Sequence, residues 1–164
     1  MVSSNEGHPV ARRARLVSRK VIRGFVPKRL TAAREKAGMS RGDLARVSDV
    51  TETAIGRWET GARSPQIDHL AKVVRALGLQ MSDLVIVPSE GRYPGDWRVL
   101  LGLTQPELGK KAGISTTMVG AIERGEARLT EDVAAKLSAA LGIPGGELRE
   151  SYERARSRPP GTPA

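Results

Sequence analysis

The chain has 164 residues, with 27 Lys and Arg against 18 Asp and Glu, a net charge of +9, and only 3% aromatic residues. That length holds one ordinary domain or two small ones, and is too short for a small binding module joined to a large effector-sensing domain. The absence of cysteine excludes disulfides and thiolate chemistry, and two histidines (His8, His69) argue against a histidine-rich metal site. No apolar run approaches a membrane span and the N-terminal region lacks the apolar core of a secretory signal, so the cytoplasm is the expected compartment and no membrane partner is expected.

Residues 1–26 form a basic arm, in which Arg12, Arg13, Arg15, Arg19, Lys20 and Arg23 face one acid, Glu6. Such a segment reads as a solvated charged terminus, as an arm lying on phosphates or in a minor groove, or as a short docking helix built on Val17, Val21, Ile22 and Phe25. Residues 27–86 form a first module of charge +3, read as a string of short helices. Leu30, Ala33 and Ala37 mark a helix stopped by Gly38, and Ser40 with Asp43 three residues on is a capping-box variant opening the next. Thr51 caps a third helix that carries Ile55 and Trp58 and stops at Gly61; Ile67, Leu70, Ala71, Val74 and Leu77 give the fourth. Met81 to Val85 give a short fifth.

The segment Ile86–Tyr93, IVPSEGRY, is punctuated by proline and glycine and places a linker at 87–93. Pro94 then suits the first turn of a new helix. A second module, 94–152, repeats the first at a shift of 64 residues without a gap: Arg34 falls on Arg98, Gly38 on Gly102, Leu44 on Leu108, Thr53 on Thr117, Gly56 on Gly120, Glu59 on Glu123, Gly61 on Gly125 and Leu84 on Leu148. The Pro- and Gly-containing stretch 153–164 is expected to be a disordered tail.

Two stretches now carry a resemblance. Ser40-Arg41-Gly42-Asp43-Leu44-Ala45, Val50-Thr51, Ile55 and Trp58-Glu59-Thr60-Gly61 resemble the helix-turn-helix of the Cro/repressor type, the XRE family. Thr104-Gln105-Pro106-Glu107-Leu108-Gly109, Ile114-Ser115, Val119 and Ile122-Glu123-Arg124-Gly125 resemble it again. The resemblance implies an all-α fold of two tandem five-helix lambda-repressor-like modules, with motifs at about 41–60 and 105–124, whose partner is double-stranded DNA. Crossing helices need a small residue at their approach, here Ala45 and Gly109, and a turn residue tolerant of left-handed backbone, here Asp49 and Gly113.

In the resembled family the third helix enters the major groove. Carried over, the base-reading positions are Glu52, Thr53, Ala54 and Arg57, then Thr116, Thr117, Met118 and Ala121. Arg57 can pair with both guanine acceptors, the threonines with a base or a thymine methyl, and Ala54 and Met118 with methyls. Phosphate-binding candidates are Arg41, Thr51 and Arg63 in the first module and Gln105, Lys110, Ser115 and Arg124 in the second. Gly56 and Gly120, outward on the third helices, suggest close approach of something, or common descent alone. Glu59 and Glu123 are expected to fix the loop after the third helix rather than touch DNA.

The sequence contains no dinucleotide-binding glycine motif and no HExxH, and Gly109-Lys110-Lys111 is not a phosphate loop, so neither an enzyme nor a cofactor is expected. The expected function is a sequence-specific, nucleoid-associated transcriptional regulator. The alternatives are a protein-interaction adaptor or antitoxin-like component using one module or the basic arm, for which the charge of −1 on segment 89–148 and Met118 point to the second module, and a nonspecific nucleoid or plasmid-maintenance binder. A homodimer and a protein partner through the second module remain open. A monomer could span adjacent half-sites, since an eight-residue linker extends to at most about 29 Å and half-sites one turn apart lie roughly 34 Å apart.

Overall fold

A computed structural model describes residues 21–164. Among them are ten α-helices, one short 3-10 turn and no strand beyond a single bridge between Phe25 and Val85. None of these helices is long and apolar enough to cross a membrane. The first module contains α1 (Pro27–Lys36), α2 (Arg41–Ser48), α3 (Glu52–Glu59), α4 (Ile67–Ala76) and α5 (Met81–Leu84). The second contains α6 (Pro94–Leu100), α7 (Gln105–Ala112), α8 (Thr116–Glu123), α9 (Glu131–Leu141) and α10 (Gly145–Ser157).

Local chemistry sets the helix boundaries. Ser40 Oγ accepts from Asp43 N at 3.0 Å while Asp43 Oδ2 accepts from Ser40 N at 3.0 Å, closing the expected box; Thr104 and Glu107 repeat it. Those bonds hold the Asp43 and Glu107 carboxyls below their ordinary range. Asp49 (φ 55°) and Gly113 (φ 69°) take the left-handed conformation that ends α2 and α7, and Asp49 is the single non-glycine residue of positive φ among those described. A Cβ on Gly109 would sit 2.8 Å from the Ile114 carbonyl oxygen, so the α7–α8 approach requires glycine there.

Each module has its own core. Leu30, Leu44, Ile55, Trp58, Leu70 and Leu84 are buried in the first, Leu108, Val119, Ile122, Leu137, Leu148 and Tyr152 in the second. Sealing each core is a buried ion pair. Arg34 on α1 meets Glu59 at the end of α3 through two bonds, Nε–Oε1 at 2.6 Å and a terminal nitrogen to Oε2 at 3.2 Å, and donates its third nitrogen to the Met39 carbonyl at 2.8 Å. Arg98 repeats this on Glu123 (2.5 and 3.1 Å) and the Leu103 carbonyl (2.7 Å). The guanidinium fork matches the carboxylate geometry, so it can stay ionised away from water.

The structure adds to the expected boundaries at three places. The tail begins later than residue 153. α10 runs to Ser157, because Tyr152 and the fully buried Ala155 continue its apolar face and Arg158 donates to the Arg124 carbonyl at 2.7 Å. The linker is folded: Val87 is buried, Ser89–Gly91 form a 3-10 turn, and Arg154 donates to the Arg92 carbonyl at 3.0 Å. The arm lies outside the described residues as far as residue 20. Its remainder docks as a turn rather than a helix, with Ile22 buried in the first core and its N–H on Ser64 Oγ at 3.2 Å.

Breaking a buried pair from the arginine side removes the charged fork that satisfies the carboxylate, and Arg98→Ala is expected to cost about 3–5 kcal/mol in urea titration. Arg34→Ala should cost less, because Arg41 Nε still bonds Glu59 at 2.7 Å. Burial opposes ionisation of Glu59, but the bonds from Arg34 and Arg41 outweigh it and hold the carboxyl below its ordinary 4.5. A depressed folded pKa contributes stability that is complete above the unfolded value and is lost as pH falls through the folded one. The gap in urea midpoint between the wild type and Glu59→Gln should therefore be full above the ordinary glutamate value and close only as pH falls below it through the depressed folded value.

Candidate nucleic-acid interface

The buried pair fixes the third helix about its own axis. With Ile55, Trp58 and Glu59 turned into the core, Glu52, Thr53 and Arg57 are exposed and Ala54 is half-buried. Val119, Ile122 and Glu123 orient α8 in the same way, leaving Thr116, Thr117 and Met118 exposed and Ala121 half-buried. All eight expected base-reading residues thus share the outer faces of α3 and α8. Their side chains are free of ion pairs among the described residues.

Thr51 and Ser115 cap the two helices, accepting from Ala54 N (3.2 Å) and Met118 N (3.1 Å). Each hydroxyl keeps its own hydrogen to donate. Arg41 begins α2 beside them. Its Nε donates to Glu59 Oε2, its side chain is 43% exposed, and its terminal nitrogens lie over α3. Gln105 is its counterpart, with Nε2 on Glu123 Oε2 at 2.6 Å. Arg63 and Lys110 are exposed and unpaired among the described residues. Arg124 is half-buried and bonded to Glu126 at 2.8 Å, which draws the Glu126 carboxyl below its usual range.

Gly56 and Gly120 lie beneath side chains of their own modules, tightly at Gly120 and with ordinary contact room at Gly56. A Cβ at Gly56 would touch the Arg41 guanidinium at 3.7 Å, and one at Gly120 would meet Arg124 at 3.0 Å and the Gln105 amide at 3.5 Å. The groups that approach these glycines belong to the chain itself: Arg41 of α2 over α3, and Gln105 of α7 with Arg124, just past α8, over α8.

Around each buried carboxylate the charge differs. Glu59 accepts from two guanidiniums, Arg34 and Arg41; Glu123 accepts from the Arg98 guanidinium and the neutral Gln105 amide, with the charge of Arg124 acting on it as well. Arg57 and Arg63 are matched by Ala121 and Ala127 in the second module. The first face therefore carries Arg41, Arg57 and Arg63 beside the acid Glu52, and the second carries Lys110 and an Arg124 bonded to Glu126, so the first is the more cationic.

Two groups here are invisible to local sequence reading. Arg34 and Arg98 appear in sequence only as repeat identities. Their signal is the same Arg–Glu spacing of 25 residues in both copies. Glu59 and Glu123 do more than fix the following loop: each joins the first, second and third helices of its module.

No curated protein matches the chain. The helix-turn-helix family model matches it twice, over residues 30–84 and 96–148, which together make up more than half its length. The chain belongs to the helix-turn-helix family of the Cro/C1 type, a DNA-binding family, and carries two tandem copies of its domain.

Proposed function

We propose that this chain is a sequence-specific transcriptional regulator that acts at the nucleoid and reads the major groove with the outer faces of α3 and α8. The observation that carries the reading is the unpaired, exposed Arg57 on a helix whose opposite side is locked into the core by Ile55, Trp58 and Glu59. A guanidinium so placed can pair with both guanine acceptors without first breaking another bond. Arg41 and Arg63 flank it as phosphate contacts, with the Thr51 hydroxyl. Gln105, Lys110, Ser115 and Arg124 play the corresponding part in the second module, more weakly because Arg124 must leave Glu126 and Gln105 is neutral.

The two faces differ at every base-reading position except Thr53/Thr117. One chain therefore reads an asymmetric site, and two chains are not required. The second reading, a protein partner or second copy docked on the second module, is favoured by one feature: Met118 is 36% exposed on a face of low charge.

Selection of duplexes from a random pool tests the proposal directly, and footprinting should then show an asymmetric site protected by a single chain. A palindromic footprint needing two chains would replace the monomer with a dimer. Arg57→Ala should cost about 1–3 kcal/mol at one base pair and leave other positions unchanged. Arg41→Gln, which gives the first module the second module's amide, should weaken all sequences alike and lower the slope of log affinity against log salt by about one.

A further inference from the structure

We propose that the docked seam between the two modules is a ruler. It fixes the distance and angular phase between α3 and α8, so that the chain selects DNA by the spacing of its two half-sites. This rests on the DNA-reading function above and adds to it a determinant of specificity that touches no base.

The seam is built where the two copies differ. Val99 and Leu100, at the end of α6, pack against the first module's core. A Cβ on Gly102 would lie 3.3 Å from Ala71 Cβ and 3.7 Å from Met81 Cγ. The equivalent residues of the first module are Glu35, Lys36 and Gly38, all exposed, and a Cβ on Gly38 would meet nothing within 4 Å. The same helix end is thus solvated in one copy and a docking surface in the other.

The connector is pinned as well. Arg23 bonds Asp96 at 2.7 Å and the Gly91 carbonyl at 3.3 Å, and lies 4.3 Å from the centre of the Tyr93 ring. Arg92 Nε donates to the Val87 carbonyl at 3.0 Å, with its guanidinium 4.4 Å from the Trp97 ring. Arg154 closes on Arg92 from α10. A free tether of this length would let the second module search a broad volume and tolerate many spacings; a packed apolar seam with three arginine clamps does not.

One contact candidate from each module, Arg57 and Gln105, lines a shared cleft beside the seam. A cleft of about 1060 Å³ between the modules has Ala54 and Arg57 on one wall and Thr104, Gln105 and Pro106, at the start of α7, on the other. On this proposal one duplex meets both modules from the side of that cleft. Two base pairs inserted between half-sites move one of them by roughly 7 Å and about a fifth of a turn, more than a fixed seam can follow.

The test uses the whole chain and the duplex it selects, with one or two base pairs inserted or removed between half-sites. The variant Val99→Glu with Leu100→Lys puts the first module's own residues at the seam, so the fold of the second module already has a template that accepts them. Circular dichroism checks its helix content. If it fails to fold, Arg23→Gln, which cuts the clamp outside both cores, replaces it. The wild type should lose about tenfold or more at a two-base-pair change, whereas the variant binds the native spacing more weakly and varies by no more than about twofold across spacings. Equal tolerance in wild type and variant would refute the ruler, as would a selected consensus with only one half-site; both results leave DNA reading intact. Failure to select any sequence would remove the DNA reading itself and the ruler with it.

Discussion

One carboxylate in each module governs everything that faces outward on its third helix. An ionised group withdrawn from water costs several kcal/mol unless its lone pairs are satisfied with good geometry. Glu59 meets that condition with two bonds from Arg34 and one from Arg41; Glu123 meets it with two from Arg98 and one from Gln105. A planar fork against a carboxylate tolerates little rotation. The pair therefore acts as a key, setting α1 against α3 at one angle, and Trp58 or Ile122 fills the space behind it. Apolar packing alone would supply the burial but not that angular definition, because side chains such as Leu30 and Ile55 make no directional bonds.

The same carboxylate reaches the interface through its third bond. In the first module Oε2, which also accepts from Arg34, holds a second guanidinium at the start of α2, across Gly56. In the second it holds an amide. A structural ion pair and a surface charge are thus parts of one cluster, and a change at a single position, Arg41 or Gln105, alters the potential facing DNA without disturbing the helix packing beneath it.

The features legible in the sequence are those set by near neighbours. Ser40 with Asp43 and Thr104 with Glu107 form caps three residues long, and Asp49 and Gly113 mark turns through their own backbone preference. The outer face of α3 follows from the inward spacing of Ile55 and Trp58, which is why Thr53 and Arg57 could be named in advance. The clamp on Glu59 was hidden because Arg34 lies 25 residues away and an isolated arginine on a helix reads as surface. Val99 and Leu100 were hidden for the opposite reason: apolar residues on a helix read as that helix's own core, and nothing local shows that they serve the neighbouring module. The end of α10 escaped because Arg154, Arg156 and Arg158 give it a solvated look, while Ala155 is buried among them.

Seam and charge asymmetry bear on each other. On the proposed reading, the cationic first face supplies most of the phosphate attraction and the encounter with DNA, since Arg41, Arg57 and Arg63 have no equivalents of like charge. The second face, with Ala121 and Met118 in reading positions, would bind poorly as a separate domain, because it would have to overcome the loss of translational and rotational freedom by itself. Docked to the first, it has lost that freedom on folding, and even modest methyl and hydroxyl contacts then add to affinity and to discrimination. A less cationic second face is for that reason no argument against its reading DNA. It is what a module can become once a neighbour fixed in space brings it to the duplex.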